Sequence, residues 1–444
     1  MNLRGHLYFA FIGLRGSKMP RYYREYLEDD AHGPSPGTSQ ELLSGLLRHC
    51  RERVPHYAEI LRALPDPGGD PMGVLQQMPI LTKQLIRERF QLLRSSDLDD
   101  RRWIFNTSGG STGEPARFIQ DDEFAWRTGA LALAFGRWAG HEAGDPEVDL
   151  WGDEREVLQG TLGLRNRVTN SLKKKIFLNA FHMTPEAMRG FAEVLQRARP
   201  RLILAYAQAL YELAGFLESE QIPVPQVGAI ITSAGTLHAF MRERIERVFR
   251  SPIFDRYGSR EVGLIAAERP GVEGLWVAPW NVLVEVVDEA GRPAPPGTVG
   301  EIVVTSLVNR AMPLVRYRIG DRGALSPAPV GGGRVLTHLL GRNVDAFRRR
   351  DGTLVDGEFF THLVYFRDWV EKFQFVQRSH DEVLLRLVTR RRDHASLQVE
   401  LDQMAAQTRA ALGPAAVLRV EWVDEIPPAA SGKYRYTISE VLPP

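Results

Sequence analysis

Residues 105–115 are rich in glycine and hydroxyl side chains, a composition typical of a loop that binds an anion. The segment contains three glycines and four serine or threonine residues, and it lies between two predicted strands. Glycine lets the backbone turn its N–H groups inward, and the hydroxyls add donors, so a nucleotide phosphate is the expected ligand. A solvated hairpin turn is the alternative interpretation. The candidate binding residues are Thr107, Ser108, Gly109, Gly110, Ser111, Thr112 and Gly113.

The residues that follow this loop distinguish it from two better-known motifs. A Walker loop needs a lysine after its last glycine and then a helix, but Glu114 and Pro115 follow Gly113 here. Residues 109–113 also fit the G-x-S-x-G nucleophile elbow, which would make Ser111 the nucleophile of a serine hydrolase. That elbow leads from a strand into a helix, and Pro115 followed by an extended segment argues against a helix. The hydrolase remains the rival hypothesis.

Polar residues also follow predicted strands in four later segments. Residues 232–236 form one such turn. Tyr257 and Glu261 combine an aromatic ring, suited to stacking on a base, with a carboxylate, suited to a hard cation. Asp321 ends a predicted strand and could accept the hydrogen bonds of a ribose diol, and Lys433 could neutralise a phosphate and a carboxylate. The alternatives are a helix-entry turn for residues 232–236, a salt-bridged turn for residues 257–261 and a flexible tail for the loop of Lys433.

The composition excludes several classes of function. The chain has 444 residues, 43% hydrophobic and 25% charged, with a formal net charge of +1, so nothing suggests nucleic acid or an anionic membrane as the main partner. The single Cys50 excludes a disulfide framework and is consistent with a reducing compartment. The apolar run at residues 7–12 is far shorter than the ~20 residues that span a bilayer. We therefore expect a cytoplasmic protein without a membrane span.

The element pattern predicts an α/β fold. Residues 22–94 are helical and broken by turns, and a helix follows from Asp121 to Trp138. Between residues 148 and 255 strands alternate with helices, which favours a parallel sheet whose ligands bind beyond the carboxyl ends of the strands. From residue 274 to 325 strands and tight turns dominate, including a strand at 314–317. A smaller α+β unit follows, with a hairpin at 373–388, a helix at 393–412 and a strand at 417–423.

In this order the loops resemble the motif series of the adenylate-forming superfamily. Residues 107–113 look like its T-S-G-[ST]-T-G phosphate loop, and 257–261 like its Y-G-x-[ST]-E motif. Residues 318–321 resemble Y-R-x-G-D, 341–345 the G-R-x-x-D hinge, and 431–435 the S-G-K-x-R loop. Within the superfamily, residues 108–115 and 257–263 look most like the phenylacetate–CoA ligase-like branch, which includes capsular polysaccharide biosynthesis proteins.

The resemblance implies an N-terminal AMP-binding domain at residues 1–341, with a β-rich subdomain at about 274–341, and a small α+β lid domain at 342–444. It implies ATP and Mg²⁺ as cofactors and a small carboxylic acid as substrate. The acceptor of the acyl group is CoA by default, with an amine, a hydroxyl or a carrier-protein thiol left open.

The resemblance also assigns roles to single residues. Residues 107–113 would hold the triphosphate, Glu261 would bind Mg²⁺, and Lys433 would bridge the carboxylate and the α-phosphate. The lid would pivot near Asp345. The nucleoside would be held by Ser233, Ala234, Gly235, Tyr257, Gly258, Ser259, Asp321 and Arg342. The candidate walls of the acid pocket are Trp138, Trp151, Tyr206 and Ala234, because of their strand-end position or aromatic character.

The sequence departs from the family pattern at several positions. Ala116 stands where the phosphate loop often has a lysine, and Arg260 where small residues are common. Residues 350–357 do not look like the loop that CoA ligases bring in for thioester formation. The first half-reaction is therefore better supported than the second, and a catalytically silent nucleotide-binding scaffold is a third hypothesis.

Overall fold

The computed structural model describes residues 2–33, 37–107, 116–152, 164–180, 182–342, 346–365, 367, 369–389, 393–427 and 435–441. In the first part of the chain helices dominate, as predicted. Tyr22, Tyr23 and Tyr26 bury one face of the second helix, and Leu43, Leu46 and Leu47 one face of the third. These helices are α1 Leu3–Leu14, α2 Met19–His32, α3 Thr38–Arg53, α4 Pro55–Leu61, α5 Pro71–Gln77, α6 Lys83–Glu88 and α7 Phe90–Leu93.

The glycine-rich segment joins two antiparallel strands, β1 (Trp103–Thr107) and β2 (Arg117–Asp121). Helix α8 (Asp122–Trp138) follows directly, and the side chain of Asp121 caps it by accepting a hydrogen bond from the N–H of Phe124 (3.0 Å). The predicted strand–loop–strand arrangement is therefore confirmed. Since no helix directly follows the loop, its context is not that of a nucleophile elbow.

The predicted alternation of strands and helices is confirmed between residues 147 and 259. Four strands pair in parallel with the order β4-β3-β5-β6, and β7 continues this series. Parallel strands buried on both faces need apolar runs such as Leu202–Tyr206 and Ala229–Ser233, and these segments supply them. The elements are β3 Glu147–Trp151, α9 Leu164–Lys173, β4 Lys175–Asn179, α10 Pro185–Ala198, β5 Leu202–Tyr206, α11 Ala207–Ser219, β6 Ala229–Ser233, α12 Ala239–Phe249 and β7 Ile253–Ser259.

Strand β7 connects the parallel part of the sheet to an antiparallel part. It pairs in parallel with β6 up to Asp255, and from Arg256 onwards it pairs antiparallel with the next strand. Among the described residues, eleven strands thus form one sheet in the order β10-β11-β12-β13-β9-β8-β7-β6-β5-β3-β4. The predicted β-rich part is continuous with the α/β part. Its strands are β8 Gly263–Arg269, β9 Val272–Val277, β10 Val282–Val287, β11 Gly300–Ser306, β12 Tyr317–Leu325 and β13 Val335–Arg342.

The strand predicted at residues 314–317 is wrong. Arg316 has φ +50°, in the left-handed region that strands do not use, and β12 begins only after it. The cause is a set of contacts between Arg316 and residues that are distant in sequence. Buried Arg316 forms an ion pair with Glu285 (3.1 Å) and donates to the carbonyl of Met78 (2.6 Å). As a result Asp321 lies within β12, whereas the sequence placed it at the end of a strand.

The C-terminal residues form a four-stranded sheet in the order β18-β17-β16-β19. The predicted hairpin is confirmed as β16 and β17. The predicted helix begins later than expected, at Gln398, because residues 395–397 form a separate 3₁₀ turn. The elements are β14 Phe347–Arg348, β15 Leu354–Val355, α13 Gly357–Tyr365, β16 Val370–Ser379, β17 Glu382–Thr389, α14 Gln398–Leu412, β18 Val417–Trp422 and β19 Thr437–Ser439.

This C-terminal unit packs against the face of the large sheet that carries α11 and α12. The ring of Phe359 in α13 lies edge-on to His238 (6.2 Å between centroids) and to Phe240 (5.6 Å). Buried side chains of both parts, such as Leu210 and Phe360, belong to one apolar cluster. Among the described residues, no helix is both long and apolar enough to cross a bilayer.

Candidate active site

Three parallel strands bring predicted pocket residues together at their carboxyl ends. Trp151 ends β3, Tyr206 ends β5 and Ser233 ends β6, and Tyr206 is directly opposite Ser233 in the strand register. The rings of Trp151 and Tyr206 lie 4.2 Å apart between centroids. The Tyr206 hydroxyl donates to the carbonyl of Gly152 (3.2 Å). An aromatic wall therefore stands at the edge where ligands of parallel sheets bind.

The turn after β6 has an unusual backbone. Ala234 has φ +57° and Gly235 has φ +156°, so two consecutive residues leave the regions that side chains prefer. Ser233 fixes the start of the turn, because its hydroxyl donates to the carbonyl of Arg256 in β7 (3.1 Å). Thr236 fixes its end by donating to Asp356 of the C-terminal unit (2.9 Å). A strained turn held at both ends is consistent with a binding role.

Tyr257 and Asp321 meet directly, although they come from different predicted motifs. The Tyr257 hydroxyl donates to Asp321 Oδ2 at 2.6 Å, a short bond of the kind that carboxylates accept. Asp321 is buried, and in the sheet register it pairs with Arg342 of β13. The structure thus brings together three residues that the sequence assigned to the nucleoside. Gly258 and Ser259 follow Tyr257 in β7, beside β8.

Glu261 lies in the turn between β7 and β8 and is 3% exposed. Its Oε1 accepts a hydrogen bond from the Tyr317 hydroxyl (3.1 Å) and lies 3.5 Å from the Lys83 ammonium. Gln120 in β2 holds the backbone of this turn by donating to the carbonyl of Arg260 (2.7 Å). A buried carboxylate costs free energy unless it is paired, and Lys83 provides the opposite charge.

The side chains around Glu261 can be compared with the ligands that Mg²⁺ prefers. No cluster of three or more His, Cys, Asp or Glu side chains suited to a metal occurs among the residues that the structure describes. Mg²⁺ is commonly held by one or two carboxylates together with substrate phosphates, and Glu261 offers one carboxylate. The residues present therefore fit Mg²⁺ bound in company with a nucleotide, with Lys83 as the cation that neutralises Glu261 in its absence.

Sequence reasoning missed Lys83, Tyr317 and Gln120 as site residues. The pattern of residues 78–83 predicts the start of a helix in a packing and substrate-wall layer, without a catalytic role. The structure shows a parallel bridge between Leu81 and Tyr317, with the N–H of Leu81 donating to the carbonyl of Arg316 (2.9 Å). This bridge brings the start of α6, and with it Lys83, next to Glu261. No local signal in the sequence indicated that contact.

Trp138 lies elsewhere. It ends α8, its ring is edge-on to Trp276 (5.5 Å between centroids), and its N–H donates to Asp30 (2.9 Å). The Arg269 guanidinium lies 5.0 Å from its ring. These are contacts of the α2–α8 core, not of the strand-end pocket with which the sequence grouped it, because an aromatic residue at a helix end is also a typical core residue.

Several predicted residues lie outside the described part of the chain. Thr107 ends β1, and residues 108–113 of the phosphate loop lie outside the described residues. Lys433 and the hinge residue Asp345 also lie outside, and the boundary at residue 341 remains a prediction. The described residues therefore include those that the sequence assigned to the nucleoside and to the metal, but only Thr107 of the phosphate loop.

Comparison with known proteins agrees with this architecture. A family model described as the CapK C-terminal domain matches residues 347–440. Protein CapK of Staphylococcus aureus is 23% identical over 374 residues, covering 83% of this chain and 80% of that protein. A phenylacetate-coenzyme A ligase of Thermus thermophilus is 26% identical over 387 residues, covering 82% and 81%.

A crystal structure of 2-hydroxyisobutyryl-CoA ligase in complex with 2-HIB-AMP superimposes with a TM-score of 0.59 at 19% identity, covering 90% of this chain and 89% of that one. The predicted α/β fold with a C-terminal domain is therefore confirmed. The chain is a homologue of CapK and of the phenylacetate-coenzyme A ligases, with the fold of an adenylate-forming CoA ligase.

Proposed function

We propose that the chain is an ATP-dependent ligase that activates a carboxylic acid as an acyl adenylate, releasing pyrophosphate, and then transfers the acyl group to an acceptor. Homology to the phenylacetate-coenzyme A ligases and the fold of an acyl-adenylate-binding ligase support this. The serine hydrolase is not favoured, since β2 follows the loop that contains Ser111.

One observation carries the proposal: direct hydrogen bonds link three motifs that lie far apart in sequence. Ser233 bonds to the strand of Tyr257, Tyr257 bonds to Asp321, and Tyr317, in the same strand as Asp321, bonds to Glu261. A tyrosine, two carboxylates and a strained turn lie near the place where the parallel part of the sheet joins its antiparallel part, and such a convergence of polar groups is typical of a ligand site.

In this proposal the residues act by positioning and by charge, because no covalent nucleophile is involved. Tyr257 and the turn at 233–235 would flank the adenine, and Asp321 would accept hydrogen bonds from the ribose. Glu261 would hold Mg²⁺, which neutralises the charge of the phosphates. Lys433 would stabilise the charge that develops as the carboxylate attacks the α-phosphate and pyrophosphate leaves.

The acid would lie against the aromatic wall at the ends of β3 and β5. Trp151 and Tyr206 offer ring faces, which favour an acid with an aromatic or apolar body. For the acceptor we propose CoA, as in the name of the relatives from Thermus thermophilus and Escherichia coli. An amine or a carrier-protein thiol stays open, since residues 350–357 do not resemble the thioesterification loop.

The test is hydroxylamine trapping of acyl adenylates with a panel of aryl, fatty and amino acids, in parallel with pyrophosphate release. We expect acid-dependent hydroxamate and pyrophosphate with at least one acid, and both should require ATP and Mg²⁺. If the whole panel gives neither product while ester substrates are cleaved, the hydrolase hypothesis replaces this one. If neither reaction occurs but ATP binds, the chain is a silent nucleotide-binding scaffold.

A further inference from the structure

Helix α1 has two apolar faces, and only one of them packs on the protein. At about 100° per residue, positions 5, 8 and 12 share one side of a helix and positions 3, 7 and 14 share the opposite side. Gly5 and Tyr8 are buried against the body. On the other side Leu3 is 74% exposed, Leu7 49% and Leu14 90%. A helix of a globular protein ordinarily turns polar residues to water, so this second face calls for a partner.

The exposed leucines are not the result of a loosely attached helix. The Asn2 side chain caps α1 and also donates to Asp145 (2.9 Å). Arg4 donates to the carbonyl of Ser171 at the end of α9 (3.1 Å), and the Lys173 ammonium lies 4.7 Å from the Tyr8 ring. The helix is thereby fixed at several points, with the row Leu3, Leu7 and Leu14 directed away from the body.

Charge identifies the chemistry of the partner. Helix α1 contains Arg4, is followed by Arg15 and contains no aspartate or glutamate, although the whole chain has a net charge of only +1. Arg15 lies beside the exposed row, 5.5 Å from the Phe11 ring. Helix α9, which packs against α1, ends with Lys173, and Lys174 follows it. An apolar row bordered by cations is complementary to the surface of an anionic lipid bilayer, where charged headgroups cover an apolar interior.

We propose that α1 binds the surface of an anionic lipid bilayer, with Leu3, Leu7 and Leu14 entering the boundary of the acyl chains and the flanking cations contacting the headgroups. The helix has 12 residues, which is too short to span the bilayer, so it lies in the plane of the interface. A second copy of this chain fits less well, because pairing two such helices would bring their basic flanks together. This inference is independent of the proposed ligase activity.

The experiment is co-sedimentation of the full chain with vesicles of phosphatidylcholine alone or with about 30 mol% phosphatidylglycerol, whose negative surface attracts basic segments. We expect binding to the anionic vesicles, weak binding to the neutral ones, and release at about 0.5 M salt, because salt screens the charges. The double variant Leu7→Gln/Leu14→Gln should bind at least about tenfold more weakly, since it removes two inserted apolar side chains. Arg15→Gln should bind roughly fivefold more weakly.

Matched controls exist on other helices. Val399 on α14 is 70% exposed, and the Arg197 side chain on α10 is 76% exposed. Val399→Gln and Arg197→Gln should bind vesicles as the wild type does. Acyl-adenylate formation from water-soluble acids should be unchanged in all four variants, so the result does not depend on that activity.

Two outcomes would overturn the inference. One is a wild-type chain that pellets no more with anionic vesicles than without them, or variants that bind as well as the wild type. The other is a concentration-dependent dimer in sedimentation velocity that Leu7→Gln/Leu14→Gln abolishes while vesicles have no effect. The exposed face would then belong to a second copy of the chain.

Discussion

Glu261 contacts side chains that are distant in sequence, and its substitution tests its proposed role as a ligand of Mg²⁺. The amide of Glu261→Gln can neither neutralise Lys83 nor offer Mg²⁺ a carboxylate. We expect acid-dependent pyrophosphate exchange to fall by roughly 10²–10³, the usual effect of losing one preorganised charge contact. Tyr317→Phe is the control, because it removes only the hydroxyl that donates to Glu261. Exchange at the wild-type rate in Glu261→Gln, with circular dichroism unchanged, would contradict the assignment.

The contact between Tyr257 and Asp321 predicts an effect on nucleotide binding alone. Tyr257→Phe removes the 2.6 Å bond that orients the carboxylate. A net hydrogen bond contributes about 0.5–1.5 kcal/mol, so KM for ATP should rise roughly two- to tenfold while kcat stays nearly constant. Tyr206→Phe is the matched variant at the aromatic wall, and it should change KM for the acid instead. Equal effects of the two variants on both substrates would contradict separate subsites.

Sequence motifs drew attention to Tyr257, Glu261 and Asp321, whose roles remain proposals. In the structure Tyr257 donates a hydrogen bond to Asp321, and Glu261 accepts one from Tyr317, which lies in the same strand as Asp321. Lys83 was missed because its contact with Glu261 depends on the bridge between Leu81 and Tyr317. Such a long-range pairing has no local pattern. Trp138 lies apart from the strand-end pocket, against Trp276 and Asp30. Its aromatic character alone does not show whether it lines a pocket or belongs to a core.

Among the secondary-structure elements, the alternating strands and helices were predictable from apolar runs and glycine turns. Two features were not. The continuity of the sheet depends on β7 changing partner type at Arg256, which pairs with Ala267 of β8. The break before β12 depends on the left-handed backbone of Arg316, which its buried ion pair with Glu285 stabilises. Both are decided by tertiary contacts that override local preference.

Strands β3 and β4 share a buried ion cluster that predicts a large stability effect. The Lys175 ammonium lies 2.6 Å from Asp149 and 3.1 Å from Glu147. Burial opposes the charge of Lys175, but the two carboxylates outweigh it and raise the pKa of the lysine. Lys175→Met removes the cation that lies nearest to both buried carboxylates, so the free energy of unfolding should fall by about 3–5 kcal/mol. Urea denaturation measures this.

The control is Lys372→Met, which changes an exposed lysine in β16. It should alter the free energy of unfolding by less than about 0.5 kcal/mol, as for most surface substitutions. A Lys175→Met chain as stable as the wild type would show that the carboxylates take up protons at little cost.

The interface between the large sheet and the C-terminal unit contains a group that responds to pH. Burial, helped by the charge of Arg349, lowers the pKa of His238 to about 4. Because the unfolded chain takes up this proton near pH 6.5 and the folded chain does not, His238 makes the folded state less stable as the pH falls through this range. From about pH 7.5 to about pH 5 this loss is about 2 kcal/mol.

His238→Gln should remove that part of the pH dependence. Urea denaturation at both pH values gives the free energy of unfolding of wild type and variant. On acidification the wild type should lose about 2 kcal/mol more of this free energy than the variant does. A difference that stays constant with pH would show that His238 gains a proton in the folded state. Val399→Gln, which has no titratable group, serves as the reference.

The proposed movement of the C-terminal unit as a whole is tested by Lys433→Ala. We expect acyl-adenylate formation to fall by roughly 10²–10³, because the variant lacks the positive charge that we propose acts at the attacking carboxylate. Transfer from a supplied acyl adenylate to the acceptor should survive, since a rotated lid uses another face in that step. Lys372→Ala, in the same C-terminal sheet, should leave both steps unchanged. Adenylation at the wild-type rate would end the domain-alternation hypothesis.

The order of strands in the large sheet also has a consequence for biosynthesis. Strand β9 pairs with β13 through Trp276 and Val335, so β10, β11 and β12 are all made before that edge of β9 is covered. While the ribosome is still producing those strands, β9 presents an open row of N–H and C=O groups, a template for pairing with other nascent chains. Chains truncated near residue 280 should therefore aggregate, whereas chains extended past residue 342 can close the sheet on themselves.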